Sequence, residues 1–247
     1  MVNKMAIYYH GSVLPDLKVL HTNKNATHGN YGYATSSKVV ATIFASRCGD
    51  DLVVSIFGDG KGNYSLVERI PHAFNYMYTT SGSIYTVDSS YYKDLKTGFN
   101  EVLTTEDVPV IGEEKIDNMM DEINRLASEG KITLYKYPNR PNSIPTDDSD
   151  LLEVEKRNIK RKNLEPSRER FARCAYLHPN LIPAINDYLA QNNTELITPD
   201  FLVETVNRKY MQKEIDPSHE VYIESAVELI NTYYPGLIES DEKKQSM

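Results

Sequence analysis

Cysteine is scarce in this 247-residue chain, with only Cys48 and Cys174 far apart in sequence. That number and spacing exclude a disulfide framework and a metal knuckle, and both residues read as buried apolar fillers rather than nucleophiles. The histidines His10, His21, His28, His72, His178 and His219 show no HExxH spacing and have no paired Cys-x-x-Cys beside them. Zinc therefore has no support, and a metal-independent protein is expected. A basic excess is missing too: the formal net charge of -8 argues against non-specific attraction to nucleic acid or anionic lipid, a local basic patch aside. No apolar run approaches membrane-spanning length, and Met1 to Tyr9 lacks the basic start and long apolar stretch of a secretion signal. The expectation is a cytoplasmic protein with no membrane association, secretion by a signal-independent route staying open. A phosphate loop is also lacking. Gly58-Asp59-Gly60-Lys61-Gly62-Asn63 has neither the Walker spacing nor a Ser or Thr after the lysine, and it reads as a hairpin turn.

What the chain does have is 40% hydrophobic and 25% charged residues, enough for one sizeable core or two modest ones. Short runs rich in Val, Ile, Tyr and Thr predict strands at Ala6–Tyr9, Asp51–Phe57, Tyr64–Ile70, Ser83–Val87, Val102–Val110 and Ile132–Tyr137. Two helices stand among them. One follows Ser36-Ser37, either of which can cap it, and places Val39, Val40, Ile43, Phe44 and Arg47 along one side. The other is predicted over Glu114–Ser128, with acidic residues first, Ile116, Met119, Met120, Ile123 and Leu126 on one face, and Gly130 as the stop. This half is α+β. Residues 138–150, where Pro138, Pro141 and Pro145 interrupt any periodicity, read as a connector. Residues 151–238 read as an all-α region with helices at Leu151–Leu164, Pro166–Leu177, Leu181–Asn192, Pro199–Gln212 and Ser218–Tyr234. Thr198 or Asp200 around Pro199, and Ser218, mark two helix starts; Pro235-Gly236 marks an end, and residues 239–247 read as a frayed tail.

Three pieces of the first half belong together: Tyr8-Tyr9-His10-Gly11-Ser12, Tyr31-Gly32-Tyr33-Ala34-Thr35 and Phe99-Asn100-Glu101-Val102-Leu103. A strand ending in His-Gly-Ser, a strand carrying Tyr-Ala-Thr before a helix, and a Glu opening a later strand resemble the His-Tyr-Glu group of ADP-ribosyltransferases, which includes diphtheria-toxin-like and poly(ADP-ribose)-polymerase-like members. The resemblance covers Ile7 to Ile116. It implies a split-sheet NAD-binding catalytic domain over residues 1–137, with NAD as substrate, no metal, and transfer of single ADP-ribose groups to an acceptor that can be a protein, a nucleic acid or a small molecule. NAD glycohydrolysis on the same fold is the alternative within that chemistry. A noncatalytic interaction module, its helical half binding a protein partner, is the alternative outside it.

The resemblance implies a role for each residue, and the chemistry gives each a reason. Cleaving the bond between nicotinamide and ribose develops positive charge on the sugar, which a carboxylate stabilises in the transition state. Glu101 takes that place. His10 matches the family's histidine that bonds the adenosine-side ribose, and Gly11 the glycine whose backbone pairs with the nicotinamide amide, a close approach that leaves no room for a side chain. Tyr33 matches the stacking tyrosine, with Phe44 closing the other side of the ring and Tyr31 competing for the first place. Thr35 and Ser36 are polar contacts of lesser weight, Ser36 serving equally as a helix cap. Phe44 serves equally as core. Phe99 stands where arginine-modifying members carry Glu or Gln, which disfavours arginine as acceptor. Val67-Glu68-Arg69-Ile70-Pro71 followed by Gly82-Ser83-Ile84-Tyr85 is similar to a strand pair of bacterial members. The basic run Lys156, Arg157, Lys160, Arg161, Lys162, Arg168, Arg170 and Arg173, interleaved with Glu153, Glu155, Glu165 and Glu169, reads as a solvated, salt-bridged helix face rather than a phosphate site.

Overall fold

The computed structural model describes residues 6–26, 29–46, 50–78, 80–94, 100–215 and 222–238. Cys48, Arg47, Phe99, Ser218 and the tail 239–247 lie outside the described residues, and so do the readings placed on them. Strands β1 (Ile7–Ser12), β2 (Val19–Leu20), β3 (Asn23–Ala26) and β4 (Gly29–Thr35) precede helix α1 (Lys38–Ile43). Strands β5 (Val54–Gly58) and β6 (Tyr64–Glu68) precede α2 (Ala73–Met77). Strands β7 (Gly82–Asp88), β8 (Lys93–Asp94), β9 (Glu101–Thr104) and β10 (Val108–Ile116) follow, then α3 (Met119–Ser128) and β11 (Ile132–Tyr135). Helices α4 (Ser149–Arg161), α5 (Arg168–Leu177), α6 (Ile182–Gln191), α7 (Pro199–Ile215) and α8 (Ile223–Tyr233) complete a mixed α/β chain. Among the described residues no helix is long and apolar enough to cross a membrane.

The chain forms two compact units, one of Met1–Gly49, Ile56–Leu66 and Met77–Leu134, the other of Asp50–Ser55, Val67–Tyr76 and Tyr135–Met247. In the first, an antiparallel sheet runs β2-β10-β7-β1-β4-β9-β8, with β3 on β4. One face of this sheet carries a buried cluster of Leu20, Ala34, Tyr85, Val87, Val102 and Val108. Helix α1 packs against β1, β4 and β7. Gly11 and Gly82 show why it lies so close. A Cβ on Gly11 would come 1.9 Å from the Ala41 carbonyl oxygen, and one on Gly82 2.2 Å from that of Ala45. Ser37, not Ser36, caps α1, its Oγ accepting the Val40 N–H at 3.3 Å.

Three sequence expectations change here. The predicted helix over Glu114–Ser128 is strand through Ile116, because Gly112–Ile116 pairs with Gly82–Thr86 of β7. The helix begins only after Asn118, whose side-chain oxygen accepts the Met120 and Asp121 N–H groups. The predicted strand Val102–Val110 is two strands, broken by a turn in which Thr104 Oγ1 accepts the Glu106 N–H. β9 then pairs with β4, and β10 with β7. The segments at Val67 and Gly82 are not a strand pair: β6 belongs to a separate sheet of order β11-β6-β5. The turn between β5 and β6 is as expected, with the Asp59 carboxylate accepting the Lys61 and Asn63 N–H groups and with Gly60 and Gly62 at φ 72° and 96°.

In the second unit α5 is central, packed against α4, α6, α7 and α8. Its Phe171, Cys174, Ala175, Tyr176 and Leu177 are all buried. Burial pushes the Cys174 thiol up to about 12, so it stays a protonated filler. Helix α4 starts at Ser149, inside the segment read as connector, next to a buried charge cluster. Arg69 donates from Nε to Ser55 Oγ at 2.7 Å, from Nη1 to Asp148 at 3.2 Å, and from Nη2 to Asp150. Arg140 Nη1 donates to the same Asp148 oxygen at 2.6 Å. His178 Nε2 donates to the Leu52 carbonyl at 2.8 Å, and its Nδ1 lies 3.6 Å from Asp148 Oδ2.

Burial pushes the Asp148 carboxyl up, but His178 and Arg140 outweigh it and hold the group below its ordinary 3.8. Its contribution to stability is therefore full above the unfolded value and lost as pH falls through the folded one. Removing it leaves two buried guanidiniums without their shared partner. Asp148→Ala is expected to lower the urea-unfolding free energy by about 3–5 kcal/mol at neutral pH. A loss below about 1 kcal/mol would mean the cluster behaves as a screened surface pair.

Candidate functional site

The quoted motifs fall on three neighbouring strands. Strand β4 lies between β1 and β9, with Thr35 directly opposite Glu101 and Tyr33 opposite Leu103. Residues opposite one another in an antiparallel pair share a face, and so do residues two apart on a strand. Tyr33, Thr35 and Glu101 therefore share one face. It is the face that α1 covers, because Tyr9, paired with Thr35, is two residues from Gly11, whose side-chain direction meets the α1 backbone. Phe44 sits at the C-terminal end of α1, half-buried. Tyr31, opposite Asn23 of β3, lies on the same face one pleat further from Glu101.

The join between β1 and β4 is unequal to the rest of the sheet. Strand β1 pairs with β7 along six residues, Ile7 to Ser12, but the register with β4 is a single pair, Tyr9 with Thr35. Beyond that pair, Gly11 and Tyr33 would be the next partners on this face. Instead the His10 ring engages the backbone there: its Nδ1 bonds the Tyr33 carbonyl oxygen at 2.8 Å. His10 itself pairs with Tyr85 and alternates to the sheet's other face, so its ring reaches β4 from the opposite side to Tyr33 and Glu101.

That hydrogen bond determines the chemistry of His10. A carbonyl only accepts, so Nδ1 carries the proton and Nε2 of the neutral ring is an acceptor. Burial lowers the imidazole below its ordinary 6.5, partly offset by the bond to Tyr33, so the ring is neutral at pH 7. A neutral acceptor suits a hydroxyl donor rather than a phosphate.

Other predicted residues are engaged locally. The Thr35 hydroxyl accepts the Ser37 N–H at 3.0 Å, leaving its own O–H to donate. Ser36 is exposed and does not cap the helix. Glu101 is half-buried at the first position of β9. For Gly11, packing supplies a requirement that the sequence reading assigned to a ligand: the α1 backbone fills its side-chain direction. Among the described residues, three members of the basic run of the second unit are ion-paired. Arg168 reaches Glu169 and Glu195, Lys156 reaches Glu153, and Arg173 reaches Asp50 and the Tyr222 hydroxyl. Glu68, quoted in the motif similar to bacterial members, is buried and accepts the backbone N–H groups of Phe74 and Tyr137. Sequence reasoning passed over the Arg69, Arg140, Asp148 and His178 cluster. The available signal was charge amid apolar neighbours, as in Val67-Glu68-Arg69-Ile70 and Leu177-His178-Pro179. Comparison with family models, with curated proteins and with solved structures finds no match for this chain.

Two outcomes follow. Imidazole NMR should find the Nδ1–H tautomer at His10 and a titration midpoint below 6.5; a midpoint above it would mean the ring is held in the charged form. Because the folded value is the lower one, the neutral ring's contribution to stability is full above 6.5 and falls as pH drops toward the folded value. Gly11→Ala should destabilise the fold by at least about 1–3 kcal/mol in urea unfolding, since the α1 backbone has to move. A neutral result would mean that α1 yields freely.

Proposed function

We propose that the N-terminal unit binds NAD along the gap between β1 and β4 and transfers ADP-ribose from it, as an ADP-ribosyltransferase-like domain of the His-Tyr-Glu group. The observation that carries this reading is the end of β1–β4 pairing after Tyr9 and Thr35, with Gly11 and Tyr33 the next residues on either side of the gap and Glu101 opposite Thr35. A nicotinamide ring entering there meets the backbone of Gly11 and the face of Tyr33. Phe44, at the end of the helix above, supplies a second aromatic. Each such stacking contact contributes about 0.5–1.5 kcal/mol beyond burial, and more for the positively charged ring of bound NAD. His10 Nε2 accepts a hydrogen bond from a ribose hydroxyl, a role its neutral state and its Nδ1–H bond to Tyr33 both favour.

The reaction breaks the bond between ribose C1′ and the nicotinamide nitrogen. Nicotinamide leaves with the bonding electrons and becomes neutral, while C1′ acquires oxocarbenium character. Glu101 stabilises that charge and orients the ribose hydroxyl, an interaction stronger in the transition state than in the ground state. An acceptor nucleophile then bonds to C1′ and gives up its proton. A protein, nucleic acid or small molecule fills the acceptor place in transfer; water fills it in hydrolysis.

Purified protein incubated with nicotinamide-labelled NAD should release free nicotinamide, and Glu101→Gln should lower the rate by roughly a hundred- to a thousand-fold. Equal, background-level release from both proteins would overturn the enzymatic reading and favour a noncatalytic binding module. Release without label transfer from adenine-labelled NAD to any acceptor would assign hydrolysis instead.

A further inference from the structure

The second unit encloses a cavity of ≈ 240 Å³ whose walls include Arg69, Tyr137, Arg140, Asp148, His178 and Tyr233. Its size is just under the range of about 300–1,000 Å³ usual for small-molecule sites. The informative wall residue is Arg140. Its side chain is only 7% exposed, yet among the described residues only one of its three nitrogens is bonded. Both Nη1 hydrogens are used, on Asp148 Oδ1 at 2.6 Å and on the Pro145 carbonyl at 2.7 Å. Nε and Nη2 meet no acceptor among the described residues. That edge is not sealed from solvent, and it borders an open polar space with its donors still to be used.

The geometry of the remaining donors selects the occupant. The Nε and Nη2 hydrogens form the planar fork that matches two oxygens of an oxyanion. Tyr137 and Tyr233 line the same cavity, and their hydroxyls make no hydrogen bond to the described residues. Burial raises the Tyr137 phenol, which keeps it a proton donor. The one carboxylate in the wall, Asp148, is already neutralised by Arg69 and Arg140, and the second carboxylate on Arg69 is Asp150. Fork plus two phenols offer donors to more than two oxygens, which suits a phosphoryl group better than a carboxylate. We propose that this cavity binds the phosphoryl group of a small phosphorylated molecule, with Arg140 as its bidentate ligand. The proposal is independent of the ADP-ribosyltransferase reading and concerns the other unit.

The test is calorimetric titration with inorganic phosphate, against sodium chloride of equal ionic strength as reference and acetate as the carboxylate arm. The full-length protein should bind phosphate saturably at one site and more tightly than acetate. Arg140→Lys keeps a positive charge beside Asp148 but loses the fork, and should weaken phosphate binding about ten- to a hundred-fold. Should that variant lose its folded circular dichroism spectrum, Tyr233→Phe decides, since Tyr233 is half exposed and its ring is retained. It should weaken binding severalfold. Absence of saturable phosphate binding to the parent protein would overturn the proposal, as would unchanged affinity in the folded variants. Acetate binding as tightly as phosphate would overturn the phosphoryl assignment.

Discussion

Strand β1 is held by six residue pairs to β7 and by one pair to β4. Everything proposed for the N-terminal unit depends on that imbalance. A continuous ladder would have consumed the backbone of Gly11 and Tyr33 in pairing each other, and no ligand could enter between them. The early end of pairing leaves polar backbone that must find partners. The His10 ring satisfies part of it at the Tyr33 carbonyl. In doing so it is oriented and held in one tautomer, while burial keeps it neutral, three properties that a hydroxyl-binding imidazole needs.

Both strands are anchored elsewhere. Beyond β1, the β7 ladder continues into β10. Beyond β4, the β9 ladder continues from Gly32 to Thr35 and brings Glu101 to the end of the sheet nearest the start of α1. The turn from β4 into α1 is tight, with Thr35 and Ser37 side chains taking the first free N–H groups. Gly11 and Gly82 then let α1 settle onto β1 and β7 at backbone distance. One helix thus covers the face that Tyr33, Thr35 and Glu101 share, with Phe44 as its C-cap.

The C-terminal unit is organised on a different principle, a buried carboxylate shared by two arginines. Asp148 draws together segments near residues 52, 69, 140 and 178 that no apolar periodicity would have linked. Ion pairs of this kind are poor sources of stability but strict about geometry, because breaking one partner away leaves a charge uncompensated in a low-dielectric interior. Every side-chain nitrogen of Arg69 is bonded within the cluster; of Arg140 only Nη1 is bonded among the described residues. The difference between these two residues separates a structural guanidinium from one with binding capacity left over.

Local chemistry is what the sequence by itself determined. Ser37 before Val39-Val40, Asp59 with its following glycines, and the β-branched runs at Val54, Ile84 and Val102 carry their conformations in their own side chains, and the helices after residue 150 carry theirs in their spacing. The order of the three motifs was legible for the same reason. Tertiary structure decided where local signals conflict or fall silent. Glu114 resembles the acidic first turn of a helix, but the edge of β7 offered hydrogen bonds that made it strand. Thr104–Asp107 breaks an apolar run because its two ends are wanted by different neighbours, β4 and β7. The need for glycine at position 11 comes from a helix thirty residues away, and the cluster around Asp148 from partners up to 79 residues distant. Such requirements are imposed by atoms that only folding brings near, so no window of sequence contains them.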